Sequence, residues 1–154
     1  MILTTRPMSP GDRAWCAKSW VESYASSAMA RLISLSGTLG DPQRAWHVSG
    51  EYWEAWNGLV NTLLDRGLVT VAVDDMGLLA GFVCWEPWES AVAVHYLYVR
   101  LMHRKLGVAR QLIEELPRGP VIYTHRSRGL ARVPPGWTYS IRPLLGAVRA
   151  KEAA

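Results

Sequence analysis

Three strand-like runs follow Gly67, and they constrain the fold more than any other feature of the sequence. The runs are LVTVAV at 68–73, LLAGFVCW at 78–85 and AVAVHYLYV at 91–99. The breaks between them, DDMG at 74–77 and EPWES at 86–90, have the polar, glycine and proline chemistry of turns. Short runs with such tight breaks predict an antiparallel meander of strands.

Two helices are predicted before this meander, after a short first strand at residues 1–6. Ser9, Pro10 and Asp12 form a helix-start pattern, with Ser9 as the cap and Pro10 at the first helical position. Apolar residues then follow at three- and four-residue steps. Asp41 and Pro42 repeat the start signal for a second helix, which Gly67 ends.

Another helix and one or two more strands are predicted after the meander. The helix spans about 107–116, and PVIYTH at 120–125 reads as a strand. Residues 137–145 suit a last strand, which Pro143 would confine to an edge of the sheet. The order β-α-α-β-β-β-α-β-(β) predicts a mixed α/β fold, an α+β mixed sheet, in a single domain covering 1–154.

Composition narrows the function classes. The net charge of +4 favours anionic ligands but is too small to indicate nucleic acid by itself. Cys16 and Cys84 are far apart and have no histidine at a metal-ligand spacing, so no metal site is expected. The chain shows neither a signal-peptide pattern nor an apolar run of membrane-spanning length. The expectation is a soluble, cytoplasmic protein without membrane contact.

A basic turn between the third meander strand and the following helix is the strongest functional signal. Residues 99–110 read VRLMHRKLGVAR, which places Arg104, Lys105 and Arg110 around Gly107. A helix start exposes backbone N–H groups that bind phosphate, and glycine lets a ligand approach the backbone. The alternative is a solvated basic turn in which Gly107 serves only the geometry. His103 is expected at the surface, where it would add charge when protonated.

This turn and its context resemble the GNAT superfamily of N-acetyltransferases. Members carry Arg or Gln, two residues, Gly, one residue, then Gly or Ala between their fourth strand and third helix. Residues 104–109 here read RKLGVA, preceded by Tyr98 and Val99 at the end of the strand. The early segment TTRPMSPGDRAWCAKSWVESY is also similar to the first strand and helix of the family.

The resemblance implies a fold and a set of ligand contacts. It implies a fourth and fifth strand that splay apart, with the pantetheine arm of acetyl-CoA pairing with the exposed edge of the fourth. Tyr98 and Val99 would contact that arm. The residues that would hold the pyrophosphate are Arg104, Lys105, Leu106, Gly107, Val108, Ala109 and Arg110. Acetyl-CoA is therefore the expected co-substrate.

The last third of the sequence departs from the family pattern, which often places a catalytic tyrosine on a helix after the fifth strand. Residues 127–137 read SRGLARVPPGW and contain no tyrosine. Tyr139 is the replacement candidate for the acid that protonates the leaving thiolate. His125 and His95 are candidates for the base, and Glu86 is a further carboxylate candidate. Each has an ordinary packed or hydrogen-bonded residue as its alternative interpretation.

Strand alternation places His95 on one face with Leu97 and Val99, and Tyr96 and Tyr98 on the other. The chain also looks like short members of the family found in phage genomes, with an atypical C-terminal tail.

Three functions are left open by the sequence. The first is acyl-CoA-dependent N-acylation of a small-molecule or protein amine by direct attack in a ternary complex. The second is modification of a nucleobase or nucleic acid on the same fold, which basic residues of the C-terminal third would suit: Arg126, Arg128, Arg132 and Arg142. The third is a non-catalytic module that binds CoA or a protein partner. The sequence does not specify the oligomeric state.

Overall fold

The computed structural model describes residues 2–24, 49–125 and 133–145. The elements, in chain order, are strand β1 (Thr4–Pro7), helix α1 (Arg13–Tyr24), helix α2 (Ser49–Arg66), strand β2 (Leu68–Val73), strand β3 (Leu79–Trp88), strand β4 (Ala91–Val99), a 3₁₀ turn (Leu101–His103), helix α3 (Val108–Glu114), strand β5 (Val121–Tyr123) and strand β6 (Thr138–Tyr139). This is the predicted order of a mixed α/β fold.

The strands form one six-stranded sheet in which their spatial order is their sequence order, β1 to β6. Pairing is antiparallel from β1 to β4 and parallel from β4 to β6. The predicted meander of β2, β3 and β4 is therefore confirmed. Helix α3 makes the crossover from β4 to β5, since parallel neighbours need a long connection.

Several predicted strand boundaries are wrong, including the end of β3 and the extent of the last strand. Strand β3 continues to Trp88 through Pro87, which pairs with Val92 one residue before the last ladder pair. A proline is tolerated near a strand end, where one ladder bond is dispensable. The predicted strand at 137–145 contains only Thr138–Tyr139 as strand, and Pro143 lies in a helical turn at 142–145.

The helix boundaries also differ from the sequence expectation. Helix α1 begins at Arg13, because residues 9–12 form a tight turn in which Asp12 N donates to Ser9 O. Helix α3 ends at Glu114, and the N–H of Leu116 bonds the carbonyl of Ile113, three residues back. That tighter bond is usual in a last turn. The predicted start of the second helix at residues 41–42 lies outside the described residues.

Helices lie on both faces of the sheet and create two apolar layers. Helices α1 and α2 cover one face, where Trp20, Leu63 and Phe82 are buried. Helix α3 covers the other face with Val108 and Leu112. We call these the α1/α2 face and the α3 face. A ligand that reaches the sheet between them must enter where the strands separate.

An irregularity in β4 decides where His95 lies. On β3, Cys84 pairs with Tyr96 and Trp85 pairs with Val94, so His95 is an extra residue on β4. Such a β-bulge turns two consecutive side chains to one face. His95 accordingly contacts Glu86, and Tyr96 stacks on Trp20, both on the α1/α2 face. The prediction that His95 lies opposite Tyr96 is wrong for this reason.

A salt bridge fixes the entry into α1. Asp12 accepts hydrogen bonds from Arg6 Nη1 at 2.6 Å and from the backbone N and hydroxyl of Ser9 at 2.8 and 2.7 Å. The hydrogen bond from Arg6 is the main reason that the pKa of Asp12 lies well below its usual range, and burial opposes this only in part. Asp12 is thus ionised in the folded protein at any pH near neutral.

Replacing Asp12 by asparagine is expected to lower the free energy of unfolding by about 1–2 kcal/mol at pH 7. The folded pKa is depressed, so this contribution is present above the unfolded pKa of about 3.9 and is lost as the pH falls towards the folded value. Denaturant unfolding at pH 7 and pH 3 measures it. Exposed Asp75, replaced by asparagine, is the control, and an equal loss in both variants would contradict the account.

Candidate active site

The backbone of the basic turn has positive φ angles at two residues. Gly107 has φ 85° and caps α3, and Lys105 has φ 66°. Positive φ is easy for glycine and uncommon for lysine. Leaving aside its immediate chain neighbours, no heavy atom lies within 4 Å of the position that a Cβ of Gly107 would occupy. The turn therefore presents an open backbone surface.

Backbone donors at the start of α3 line this surface. The first intrahelical bond runs from Gln111 N to Gly107 O. The N–H groups of Val108, Ala109 and Arg110 precede it, so they have no partner within the helix. The side chain of Val108 is buried in the core on the α3 face. Val108 as a whole is buried, so Ala109 and Arg110 are the more accessible residues of this first turn.

The basic side chains at this turn have different hydrogen-bonding partners. Arg104 Nε donates to the carbonyl of Val99 at 3.2 Å, which joins the turn to the end of β4. Arg110 is highly exposed and donates to Glu114 at 2.9 Å, one helical turn away. An exposed pair of this kind stabilises little and is easily exchanged for a stronger anion. Both guanidinium groups are thus exposed at the basic turn.

His103, expected at the surface, is buried instead. Its Nε2 atom lies 2.9 Å from Asp74 Oδ2 in the turn between β2 and β3. Asp74 Oδ1 accepts the backbone N–H groups of Met76 and Leu78. The hydrogen bond with His103 is the main cause of a lowered pKa at Asp74. His103 therefore anchors the basic turn to the neighbouring strand connection.

A gap opens along one edge of β4. The ladder between β4 and β5 ends where Thr124 N donates to Val94 O at 3.1 Å. Among the described residues, 95–99 of β4 have a partner strand only on the β3 side. We call this edge of β4 the strand gap. It corresponds to the splayed strand pair that the resemblance implies.

The alternation of the β3–β4 ladder shows which backbone groups face the strand gap. Arg100 N donates to Ala80 O, so in an antiparallel ladder Tyr98 bonds to β3 while Leu97 and Val99 face away from it. The structure thus places Val99 at the gap, as expected, but turns the backbone of Tyr98 to β3. The sequence analysis did not single out Leu97, because the pairing register decides which backbone groups face the gap, and the role of Tyr98 at the pantetheine arm stays a prediction.

A chain of buried polar side chains lies at the inner end of the strand gap. His95 Nε2 is 2.9 Å from Glu86 Oε1, and His95 Nδ1 is 3.3 Å from Thr124 Oγ1. Thr124 Oγ1 is in turn 2.8 Å from His125 Nδ1. Arg66 Nη2 donates to the same oxygen of Glu86 at 2.6 Å. The structure therefore unites both predicted base candidates in one array.

The environment of this array sets its charges. Burial acts to raise the pKa of Glu86, but the hydrogen bond from His95 and the positive charge of Arg66 outweigh it, so that pKa lies below its ordinary value. Burial, followed by the charge of His95, lowers the pKa of His125 to about 3. Glu86 is thus an anion and His125 a neutral imidazole at neutral pH.

Tyr139 lies away from this array. It pairs with Tyr123, which in turn pairs with Val94, whose side chain is buried on the α3 face. Paired residues of neighbouring strands share a face, so Tyr139 lies across the sheet from Thr124 and His95. Its role as the acid that protonates the thiolate stays a prediction, and the structure does not bring it together with the histidines.

Neither cysteine is suited to covalent chemistry. Burial raises the pKa of Cys16 to about 12, and burial likewise raises the pKa of Cys84. A thiol is nucleophilic only as the thiolate. A mechanism without a cysteinyl intermediate, as the sequence predicts, fits these positions.

Two absences hold for the described ranges. No helix there has the length and apolar content that crossing a bilayer requires. Nor do residues 2–24, 49–125 and 133–145 hold three or more histidine, cysteine, aspartate or glutamate side chains arranged around a metal ion.

Comparisons with known proteins return structural neighbours only. No known sequence family and no curated protein sequence matches this chain. The solved structures that resemble it include acetyltransferases of the GNAT family, the family that the sequence resembles.

Three of these structures show the extent of the likeness. A GNAT-family acetyltransferase from Staphylococcus aureus shares 10% identity over 73% of this chain and 63% of its own, with a TM-score of 0.45. A ribosomal-protein-alanine N-acetyltransferase from Brucella melitensis shares 22% identity over 73% of this chain and 68% of its own, with a TM-score of 0.46. The PaiA N-acetyltransferase from Thermoplasma acidophilum, crystallised with coenzyme A, shares 16% identity over 75% and 69%, also with a TM-score of 0.46. This chain spans less than two thirds of the Staphylococcus protein, and likeness at this level specifies no substrate.

Proposed function

We propose that this protein is an acyl-CoA-dependent N-acyltransferase that transfers an acetyl group from acetyl-CoA to an amine. The amine would attack the thioester directly, with both substrates bound together and no covalent enzyme intermediate. The acceptor is a small-molecule or protein amine. The observation that carries this proposal is the strand gap, because within the described part of the chain Leu97 and Val99 have no partner strand on that side, and this edge adjoins an open, basic turn.

The strand gap suits the pantetheine arm. The N–H and C=O groups of Leu97 and Val99 face the gap, and pantetheine carries two amides that can pair with them as an added strand would. Arg104 contacts the carbonyl of Val99, so the gap leads directly to the basic turn. One extended ligand with amides at one end and phosphates at the other fits this sequence of groups.

The basic turn suits the diphosphate. The N–H groups of residues 108–110 supply donors, and Gly107 leaves the approach open. Helix α3 is short, so its dipole adds only about 0.3–1 kcal/mol per charge. The charge-assisted hydrogen bonds of Arg104 and Arg110 are therefore the main source of binding energy for the phosphates.

The chemistry at the inner end of the gap needs a proton acceptor. An amine that attacks a thioester must lose a proton as the carbon–nitrogen bond forms. His125 and His95 lie where the ladder between β4 and β5 ends, and burial keeps His125 neutral at physiological pH. An imidazole with a pKa of about 3 is too weak a base to hold the amine proton alone, so we assign that role to the histidine pair and not to His125 by itself.

Replacing Arg104 by alanine tests the ligand assignment. We expect affinity for CoA to fall about 10-fold or more, since hydrogen bonds to charged groups contribute about 1.5–3 kcal/mol, and affinity for pantetheine to fall far less. Isothermal titration calorimetry with both ligands measures the difference. The control is Arg118→Ala, which removes an exposed arginine beyond the other end of α3. Equal losses for CoA and pantetheine would show that Arg104 serves the fold and not a phosphate.

A further inference from the structure

We propose that Asp74 is a positioning residue for CoA, which acts through His103 to hold the basic turn in the conformation that receives the diphosphate. Asp74 lies in the connection between β2 and β3 and is not among the residues assigned to the ligand. The inference rests on the proposed function, because it concerns the same ligand. It goes beyond that function by coupling a neighbouring turn to the binding of CoA.

His103 is the residue that anchors the basic turn on its strand side. Of residues 100–107 it alone is buried, and the four residues that follow it, 104–107, are all exposed. The next buried side chain along the chain is that of Val108, which packs in the core on the α3 face. The exposed stretch therefore has one buried anchor at each end.

Between these anchors the backbone has a conformation that needs support from its surroundings. Lys105 has φ 66°, and Gly107 has φ 85°. A positive φ at a residue other than glycine is unfavourable and persists only where the surrounding structure determines it. Loss of the anchor at His103 should allow Lys105 to leave the left-handed region. The N–H groups at the start of α3 would then be presented to a diphosphate less well.

Asp74 is held in place by its own turn. Its Oδ1 atom accepts the N–H of Met76 at 3.0 Å and that of Leu78 at 2.8 Å, and its backbone N donates to the carbonyl of Leu78 at 2.9 Å. The Oδ2 atom accepts from His103 Nε2 at 2.9 Å, since an ionised carboxylate can only accept. The two side chains are only 8% and 6% exposed. A fixed carboxylate thus sets the position of the His103 ring.

An apolar side chain at position 103 would anchor the turn by packing alone. Burial of a polar pair costs free energy that apolar packing avoids, and the Nδ1 atom of His103 is buried without a hydrogen-bond partner in the described part of the chain. Apolar contacts are non-directional, whereas a hydrogen bond to a fixed acceptor also sets an orientation. Control of the orientation of the turn is therefore what the pair of Asp74 and His103 adds.

The coupling acts in both directions. If the pair favours the conformation that binds CoA, bound CoA must favour the pair by the same factor. The turn between β2 and β3 should therefore open less often when CoA is bound, although neither Met76 nor Leu78 is assigned to the ligand. The N–H groups of these two residues bond to the carboxylate of Asp74 and so report on it.

Isothermal titration calorimetry of full-length variants with CoA and with pantetheine tests the positioning role. We expect Asp74→Asn and His103→Phe each to weaken CoA about 3- to 30-fold, as residues that act on a ligand without contacting it do, and to leave pantetheine within about twofold of wild type. The double variant should lose little more than the larger single loss, because each change breaks the same link. Losses that multiply in the double variant, or CoA affinity within about twofold of wild type in both single variants, would overturn the inference.

Asp75→Asn and Asp12→Asn are the matched controls. Asp75 is exposed in the same turn as Asp74, so its replacement removes the same charge without breaking the link to His103. Asp12→Asn breaks the salt bridge with Arg6 at the entry to α1, so it lowers stability without changing the basic turn. Both variants should bind CoA as the wild type does. An equal loss of CoA affinity in Asp12→Asn and Asp74→Asn would overturn the positioning role, because it would reflect stability alone.

Amide hydrogen exchange, measured by NMR at saturating CoA, tests the coupling in the wild-type protein. CoA should slow exchange at Met76 and Leu78, and pantetheine should not. His103→Phe at saturating CoA should lose this protection. Unchanged exchange at both amides in the wild type would overturn the coupling. A wild-type protein that binds no CoA would refute the proposed function and the positioning role together, whereas CoA binding that neither variant weakens would refute the positioning role alone.

Discussion

Replacing Gly107 by glutamate is expected to weaken binding of CoA about 100-fold or more, which corresponds to about 2.7 kcal/mol. Two effects add. A residue with a Cβ is strained by about 1–2 kcal/mol at the φ of 85° found here. The new carboxylate also brings a negative charge to the surface that would hold the diphosphate. Isothermal titration calorimetry with CoA measures the loss.

Matched variants separate these two effects from general damage to the fold. Gly107→Ala introduces the strain without the charge, so we expect it to weaken CoA binding clearly less than Gly107→Glu does. Gly136→Glu is the control, because Gly136 has φ 87° and open space around it but lies in the loop before β6. Unchanged CoA affinity in Gly107→Glu would remove the basic turn from the ligand site.

Replacing Glu86 by glutamine is expected to lower kcat about 100-fold while the KM for acetyl-CoA stays nearly unchanged. The carboxylate contacts His95 at 2.9 Å, and a neutral amide in its place no longer balances an imidazolium. In the proposed mechanism the histidine pair takes up a proton only as the amine is deprotonated. The loss should therefore fall on the chemical step and not on binding of acetyl-CoA.

Glu89→Gln is the control for this substitution. Glu89 follows β3 by one residue and pairs with Arg142 at the surface, so its replacement should leave kcat within about twofold of wild type. Circular dichroism and thermal unfolding show whether Glu86→Gln remains folded, since it leaves Arg66 without its carboxylate partner. A folded Glu86→Gln protein with wild-type kcat would restrict Glu86 to a structural role.

The sequence predicts the fold because its signals are local. Runs of β-branched residues with tight turns specify β2 and β4 to the residue, and the basic turn identifies the start of α3. Boundaries fail where tertiary contacts override local preference. Pro87, for example, remains in β3 and pairs with Val92. The residue before it, Glu86, accepts a hydrogen bond from Arg66 of α2, a contact that the local sequence does not reveal.

The candidate site is harder to predict because it depends on register. The bulge at His95 reverses the face expected from alternation, and nothing local in AVAVHYLYV indicates an extra residue there. The same uncertainty in pairing explains why the sequence analysis named Tyr98, and not Leu97, as a backbone contact at the end of β4. Thr124 is recognisable in the sequence as a polar neighbour of His125, but only the fold places its hydroxyl between two histidines. The arginines at 126, 128 and 132 lie outside the described residues.

Backbone amide NMR during titration with CoA tests the central claim most directly. The account predicts saturable shifts that concentrate at the amides of Leu97 and Val99 and at residues 105–110, since these line the strand gap and the basic turn. Pantetheine alone should shift the strand-gap amides and leave those of the turn largely unchanged. An unchanged spectrum at saturating CoA, or shifts confined to another surface, would contradict the account.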